Sequence, residues 1–177
     1  MKLGVVQQVG KPQEIYDNPV NLFVAKFLGT PPINVFKGAV KGGKLVLGES
    51  EVLDVPGVDD REVFVGIRPE GFVPSASGAL VCKLNNVEVM GRDVSVVSTH
   101  EASVNPIVRS IINSDVRIDA TAATIRYAVK PHKVFVFNKE TEERMQKSGV
   151  FSQNLQNKNF RNNPHLPENF QETETAL

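Results

Sequence analysis

The sequence predicts a mainly β protein, a small barrel or sandwich entered through two short helices. Three observations carry that prediction. Before Asn34 apolar residues recur at helical spacing, whereas after it they fall in short alternating or continuous runs, the pattern of strands. The runs are separated by Gly, Pro, Asn and Asp, residues that turn a chain. Two separators, Gly42-Gly43 and Gly91-Arg92, are short enough for tight hairpins. Many short strands of this kind bury their faces by closing on themselves or by stacking in two layers.

The helices come first, in GVVQQVGKPQEIYDNP, residues 4–19. Pro12 suits a first helical position, because its missing N–H would be unpaired there in any case. Glu14 follows at the positive end of the helix dipole. Asn18-Pro19 repeats the device, a capping side chain before a proline. Val20, Phe23, Val24, Phe27 and Leu28 then fall at i, i+3, i+4, i+7 and i+8, one apolar stripe on a second helix. Gly29 is a fitting stop and Pro31-Pro32 forbids continuation.

Strands are expected over 35–40 and 44–47, either side of Gly42-Gly43, and over 51–55, closed by Pro56-Gly57. Residues 63–67 are apolar throughout, as in a strand covered on both faces. Residues 80–90 and 93–98 flank Gly91-Arg92, with Val87, Val89, Val94 and Val96 able to share a face. Residues 107–112, 124–129 and 133–137 complete the series. Beyond 147 the chain is crowded with Asn and Gln, and 151–177 is expected to be a weakly ordered tail. The competing expectation is an arm docking on a neighbour through Phe151, Leu155, Phe160 and Phe170.

Composition narrows the function. The 177 residues carry 20 basic and 20 acidic side chains, so no net charge draws the chain to nucleic acid or anionic lipid. No secretory signal follows Met1-Lys2, and no window approaches the ~20 apolar residues of a membrane span. A soluble protein is therefore expected. The single cysteine, Cys82, allows no intrachain disulfide and lies in an apolar run, where a buried small side chain is the expected role. His100, His132 and His165 are scattered, without metal-ligand spacing. Neither Gly10-Lys11-Pro12 nor Gly42-Gly43-Lys44 belongs to a phosphate loop, which needs GxxxxGK followed by Ser or Thr. No catalytic residue, bound cofactor or metal is expected in this chain.

The peculiar internal string is Gly66-Ile67-Arg68-Pro69-Glu70. A glycine interrupting an apolar strand marks a bulge or a close backbone approach. Arg68, before a proline, is forced into extended geometry, and its long side chain is thereby aimed in one direction. Glu70 stands two residues on. An internal Arg68–Glu70 tie and an interface role are the two readings.

These strings resemble a known family. QVGKPQEIYDNPVNLFVAKFLGTPPIN, residues 8–34, closely resembles the junction late in the ATP-binding subunits of bacterial carbohydrate importers of the ABC type, such as those for maltose and glycerol-3-phosphate. VGIRPEGF, residues 65–72, is similar to the recurring GIRPE segment of their C-terminal regulatory domain. Val87-Glu88-Val89-Met90-Gly91 resembles the next hairpin of that domain, and Lys130-Pro131-His132-Lys133-Val134-Phe135-Val136-Phe137-Asn138 its closing strand. The likeness runs in order over about residues 1–145.

The resemblance implies three parts: residues 1–33 as the end of the ATPase domain with linker helices, 34–147 as an OB-type regulatory β-barrel of the transport-associated kind, and 148–177 as the polar tail. It implies that the nucleotide-binding domain belongs upstream, since the Walker, signature and switch motifs of that family are absent from this sequence. ATP and Mg would be bound there, in the intact subunit. Implied partners are a second copy in a homodimer, that nucleotide-binding domain and membrane permease subunits, with no nucleic acid. The implied location is the cytoplasmic face of the cell membrane. Gly66, Arg68, Pro69, Glu70, Phe135 and Phe137 are the interface or regulatory candidates; alternation puts Phe135 and Phe137 on one face of a strand, both outward at an interface or both inward in a core-only role. Phe23, Val24, Phe27 and Leu28 would face the ATPase domain; where that domain is missing, the stripe is expected to dock on a second copy or on the barrel. The alternative function is a transport-associated barrel that binds a small oxyanion or other ligand.

Overall fold

Asn34, where the apolar period changes, is the first residue of the first strand. The computed structural model describes residues 2–145, so the expectations for the tail lie outside the described residues. Strands β1 (Asn34–Lys41) and β2 (Lys44–Leu47) form the predicted hairpin. Gly42 and Gly43 both take positive φ, 55° and 74°, the pair of left-handed conformations a two-residue turn of matching twist requires. Strand β3 (Ser50–Asp54) pairs with β2, and β4 (Arg61–Ile67) pairs with the other edge of β1.

A short β5 (Phe72–Pro74) then starts a second sheet with β6 (Leu80–Met90), β7 (Asp93–Thr99), β8 (Val108–Asn113) and β9 (Thr124–Val129). The last strand, β10 (Val134–Asn138), returns to β4. The orders are β10-β4-β1-β2-β3 and β5-β9-β6-β7-β8, antiparallel throughout. The fold is mainly β, a nearly closed barrel consistent with an OB-type architecture. Strand β5 and the single 3₁₀ turns at Pro69–Gly71 and Pro131–Lys133 were not foreseen, because three-residue elements are too short to show a period.

Alternation decides the core. Phe36, Val40, Leu45, Val65, Leu80, Cys82, Val96, Ile112 and Tyr127, from both sheets, form one buried cluster. The valines of the second hairpin sit opposite one another as predicted, Val87 against Val96 and Val89 against Val94, although Val89 at the hairpin end is 76% exposed. Strand β4 is covered on both faces, with Val63, Val65 and Ile67 in that cluster and Phe64 on the other side. Asn34 joins the sheets: its amide Nδ2 donates to the carbonyls of Arg109 (2.9 Å) and Ile67 (3.2 Å), while its Oδ1 accepts from Arg109 N (2.8 Å). That side chain treats the edge strand β8 as another strand would.

Helices α1 (Pro12–Asp17) and α2 (Leu22–Phe27) lie close to the predicted places, with two corrections. Asn18-Pro19 does not start the second helix. Asn18 closes the first, its N–H donating to Glu14 O at 2.8 Å, and Asn21 caps the second, its Oδ1 accepting from Val24 N at 2.9 Å. Between them the chain runs extended beside residues 142–144, with Leu22 N donating to Glu142 O and Arg144 N to Val20 O. The expected apolar stripe is also not the packed face. Leu22 and Ala25 are buried against Ile33, Val35, Phe135 and Phe137, while Val20 is 45% and Phe27 78% exposed. Val24 is buried, and Phe23 and Leu28 are half-buried. The small Ala25 lets the helix backbone approach the sheet, so Phe27, two residues or about 200° further round, is carried outward. The helix thus docks on the barrel through Leu22 and Ala25 and not through the stripe that was expected to dock. Among the described residues no helix is long and apolar enough to cross a membrane.

Candidate functional site at the helix–barrel junction

Strand β4 ends in the GIRP string directly beneath the two helices. Gly66 keeps regular pairing with Val35 and Phe135, so it is no bulge; it is the close approach. A Cβ there would stand 2.7 Å from Ile33 Cδ1 and 3.2 Å from a Phe137 ring carbon. Arg68 has the expected extended backbone, φ −63° and ψ 147°, and Pro69 opens the 3₁₀ turn behind it. The guanidinium is thereby driven into the gap between helices and sheet.

Arg68 is completely buried. Its Nη1 donates to the carbonyls of Ala25 (2.9 Å) and Leu28 (2.8 Å), and its Nη2 donates to the Tyr16 carbonyl (2.7 Å). The first two acceptors belong to the C-terminal end of α2, whose last carbonyls have no helical partner and sit at the negative end of its dipole. The third closes α1. One planar fork therefore binds the ends of both helices. The guanidinium also lies 3.8 Å from the centre of the Tyr16 ring and 5.6 Å from that of Phe135. Its Nε is buried without an acceptor among the described residues, a cost of this geometry. Burial lowers the Arg68 pKa, an effect opposed by Tyr16, Glu70 and Asp17.

Glu70 does not pair with Arg68, which removes the internal tie read from the sequence. The two residues instead hold opposite ends of Tyr16. The Tyr16 hydroxyl donates to the Glu70 carboxylate, at 3.0 and 3.1 Å from its two oxygens. Lys133 Nζ bridges Asp17 (3.0 Å) and Glu70 (3.2 Å), and Lys130 Nζ donates to the Glu70 carbonyl (2.9 Å). Burial, reinforced by the Glu70 carboxylate, pushes the Tyr16 phenol up to about 12. A hydrogen bond from Gln13 and a second from Lys133 hold Asp17 below the usual carboxylate value. Burial alone would depress Lys133, but bonds to Asp17 and Glu70 more than offset it and leave the ammonium above the ordinary lysine value.

The structure thus brings Gly66, Arg68, Pro69, Glu70 and Phe135 to one joint, with Phe137 beside it. Phe135 and Phe137 share a face, as alternation required, but they are 2% and 0% exposed beneath α2. Of the two directions alternation allowed, they take the inward one. Tyr16, Asp17 and Lys133 were missed. Tyr16 was visible within QEIYDNP, but nothing local tells a clamped tyrosine from an exposed one. Cys82 is buried as expected, and burial pushes its thiol up to about 11. Among the described residues no group of three or more His, Cys, Asp or Glu could hold a metal ion. The junction ties both helices to the barrel through charge-assisted hydrogen bonds.

Comparison with known proteins agrees with the strings around this joint. Residues 34–72, which contain Gly66, Arg68 and Glu70, match the family described as the CysA C-terminal regulatory domain. The chain is 32% identical over 146 residues to the sn-glycerol-3-phosphate import ATP-binding protein UgpC of Jannaschia sp., an alignment covering 80% of this chain and 40% of that protein. It is 29% identical over 162 residues to the oligosaccharides import ATP-binding protein MsmX of Bacillus subtilis, covering 82% and 43%. To the sulfoquinovosyl glycerol transport ATP-binding protein SmoE of Agrobacterium fabrum it is 32% identical over 154 residues, covering 78% and 40%. The aligned part thus spans well under half the length of these relatives.

Proposed function

We propose that this chain, similar to the C-terminal regulatory domain family and to the ATP-binding subunits of carbohydrate importers, is the regulatory and homodimerisation part of such a subunit. In this reading the intact subunit energises sugar import, binding ATP and Mg in a nucleotide-binding domain upstream of the helices. Membrane permease subunits, at the cytoplasmic face of the membrane, are its further partners, and nucleic acid is not among them. The chain by itself hydrolyses no ATP. Its tasks are to hold a second copy and to carry movement of the linker helices into the barrel.

The observation that carries the reading is the Arg68 fork. Domains joined only by a flexible linker move independently. Here one buried cation binds the ends of both helices to the barrel, so a displacement at the helices must move the barrel with them. A persistent pairing surface, rather than acid–base groups, is what such a module needs. Sedimentation equilibrium of the full chain tests the pairing, with a dimer expected; a monomer persisting to about 100 µM would refute it. Calorimetric titration with Mg-ATP is expected to be flat, and a saturable isotherm would refute the assignment of nucleotide binding to the upstream domain.

A further inference from the structure

Away from the Arg68 joint, a cleft of about 600 Å³ runs between the two sheets. One wall is the turn joining β2 to β3, with Glu49 and Ser50; the other comes from the start of β6 and the end of β7, with Lys83, Thr99, His100 and Glu101. Its size falls within the few hundred to about a thousand Å³ typical of small-molecule sites.

The charged side chains of this cleft, Glu49, Lys83 and Glu101, are not used by the fold. Elsewhere on the surface opposite charges close on each other, as in Lys44–Glu51 and Lys139–Glu62, both 2.6 Å. Glu49, Lys83 and Glu101 line one cleft with opposite signs and form no ion pair among themselves. His100 is oriented. Its Nδ1 accepts from Ala102 N at 3.1 Å, which leaves the proton on Nε2, and its ring stands edge-on to Phe36 at 5.8 Å. Gly48, at φ +60°, makes room for Glu101: a Cβ there would stand 2.7 Å from Glu101 Oε1.

We propose that this cleft binds a neutral polyhydroxylated molecule of mono- or disaccharide size across the two sheets. Carboxylates at Glu49 and Glu101 accept from sugar hydroxyls. The Lys83 ammonium and the His100 Nε2–H donate to them, Ser50 can do either, and Thr99, whose hydroxyl donates to Asn85 Oδ1 at 3.4 Å, can accept. Donors and acceptors both line the cleft, two carboxylates and one ammonium among them, which suits a ligand rich in hydroxyls and itself uncharged. An inorganic anion would meet two carboxylates, and an organic cation would meet Lys83. Because the ligand touches both sheets, its binding changes how firmly the halves of the barrel are held together. The choice of sugar as ligand class rests on the carbohydrate-importer reading given above, whereas the cleft's unpaired groups stand without it.

The test is an amide chemical-shift titration of the full chain with maltose, with sodium sulfate and spermidine as separate arms. Saturable shifts at Lys83, Thr99, His100 and Glu101 are expected with maltose alone. Glu49→Gln combined with Lys83→Met should weaken binding at least about tenfold, since a site built from hydrogen bonds is sensitive to their loss. Both positions are exposed, so the variant should fold. No saturation by about 100 mM maltose, shifts away from the cleft, saturation by sulfate or spermidine there, or unchanged affinity in the variant would each overturn the proposal. Any of these would leave the sedimentation test of pairing untouched.

Discussion

Replacing Arg68 by Met removes the fork while keeping most of the side-chain volume. The loss can be worked from its bonds. Three charge-assisted hydrogen bonds of 2.7–2.9 Å would each be worth about 1.5–3 kcal/mol, and the carbonyls left behind would each cost about 1–3 kcal/mol if they stayed dry. Against this, the neutral side chain escapes the desolvation that the guanidinium bears. Water can also reach the freed carbonyls once the helices loosen. A net destabilisation of about 3–5 kcal/mol follows, the range seen when one partner of a buried charge network is removed. At about 2–4 °C per kcal/mol for a chain of this size, the thermal midpoint should fall by about 6–20 °C. Urea unfolding followed by far-ultraviolet circular dichroism gives the energy, and hydrogen exchange locates it. Amides of α2 should lose protection before those of β4 and β6. Arg68→Lys keeps the charge but not the planar fork, and should recover less than half of the loss. A cost below about 1 kcal/mol, or unchanged exchange across residues 22–27, would refute the claim that Arg68 holds the helices to the barrel.

Other perturbations probe the same packing. Leu22→Ala should cost about 2–5 kcal/mol, whereas Phe27→Ala should stay within about 0.5 kcal/mol, and denaturant midpoints in the reverse order would show the wrong helix face has been assigned. Gly66→Ala pushes a methyl into Ile33 and Phe137 and should cost about 1–3 kcal/mol; a thermal midpoint equal to the parent's would contradict the close approach. Stability should fall as pH rises from about 9 to about 12. The folded chain holds protons on Cys82 (about 11) and on Tyr16 and Tyr127 (about 12 each) that the unfolded chain releases from 9.0 and 10.0, so the stabilisation is complete below those unfolded values and is lost through the folded ones. Tyr16→Phe should make that loss shallower above pH 10.0, and flat or rising stability in alkali would overturn the assignment.

The fold was legible where neighbouring residues carry the information. Gly42-Gly43 and Gly91-Arg92 marked the hairpins, since left-handed or tight backbone is a property of two residues and their bonds. The unbroken apolar run in β4 marked a strand covered on both faces. The apolar stripe of α2 misled, because a six-residue helix offers too few turns for its period to choose a face. There the small Ala25 decided, by letting the backbone close on Phe135. Asn18-Pro19 misled for a related reason: the pairing of residues 20–22 with 142–144 holds the chain extended past the place where a local signal would have begun the helix.

By itself the sequence determined the two helices and the longer strands, the hairpin turns, the extended backbone of Arg68 and the family to which the strings are similar. Only the tertiary structure decided that Arg68 grips carbonyls 40, 43 and 52 residues earlier in the chain, that Glu70 answers Tyr16 instead, and that Phe135 and Phe137 lie under a helix. The reason is one of range. Torsional preference and hydrophobic period act over a few residues, whereas the acceptors of a buried cation are chosen by whichever backbone the closed fold brings within hydrogen-bond distance.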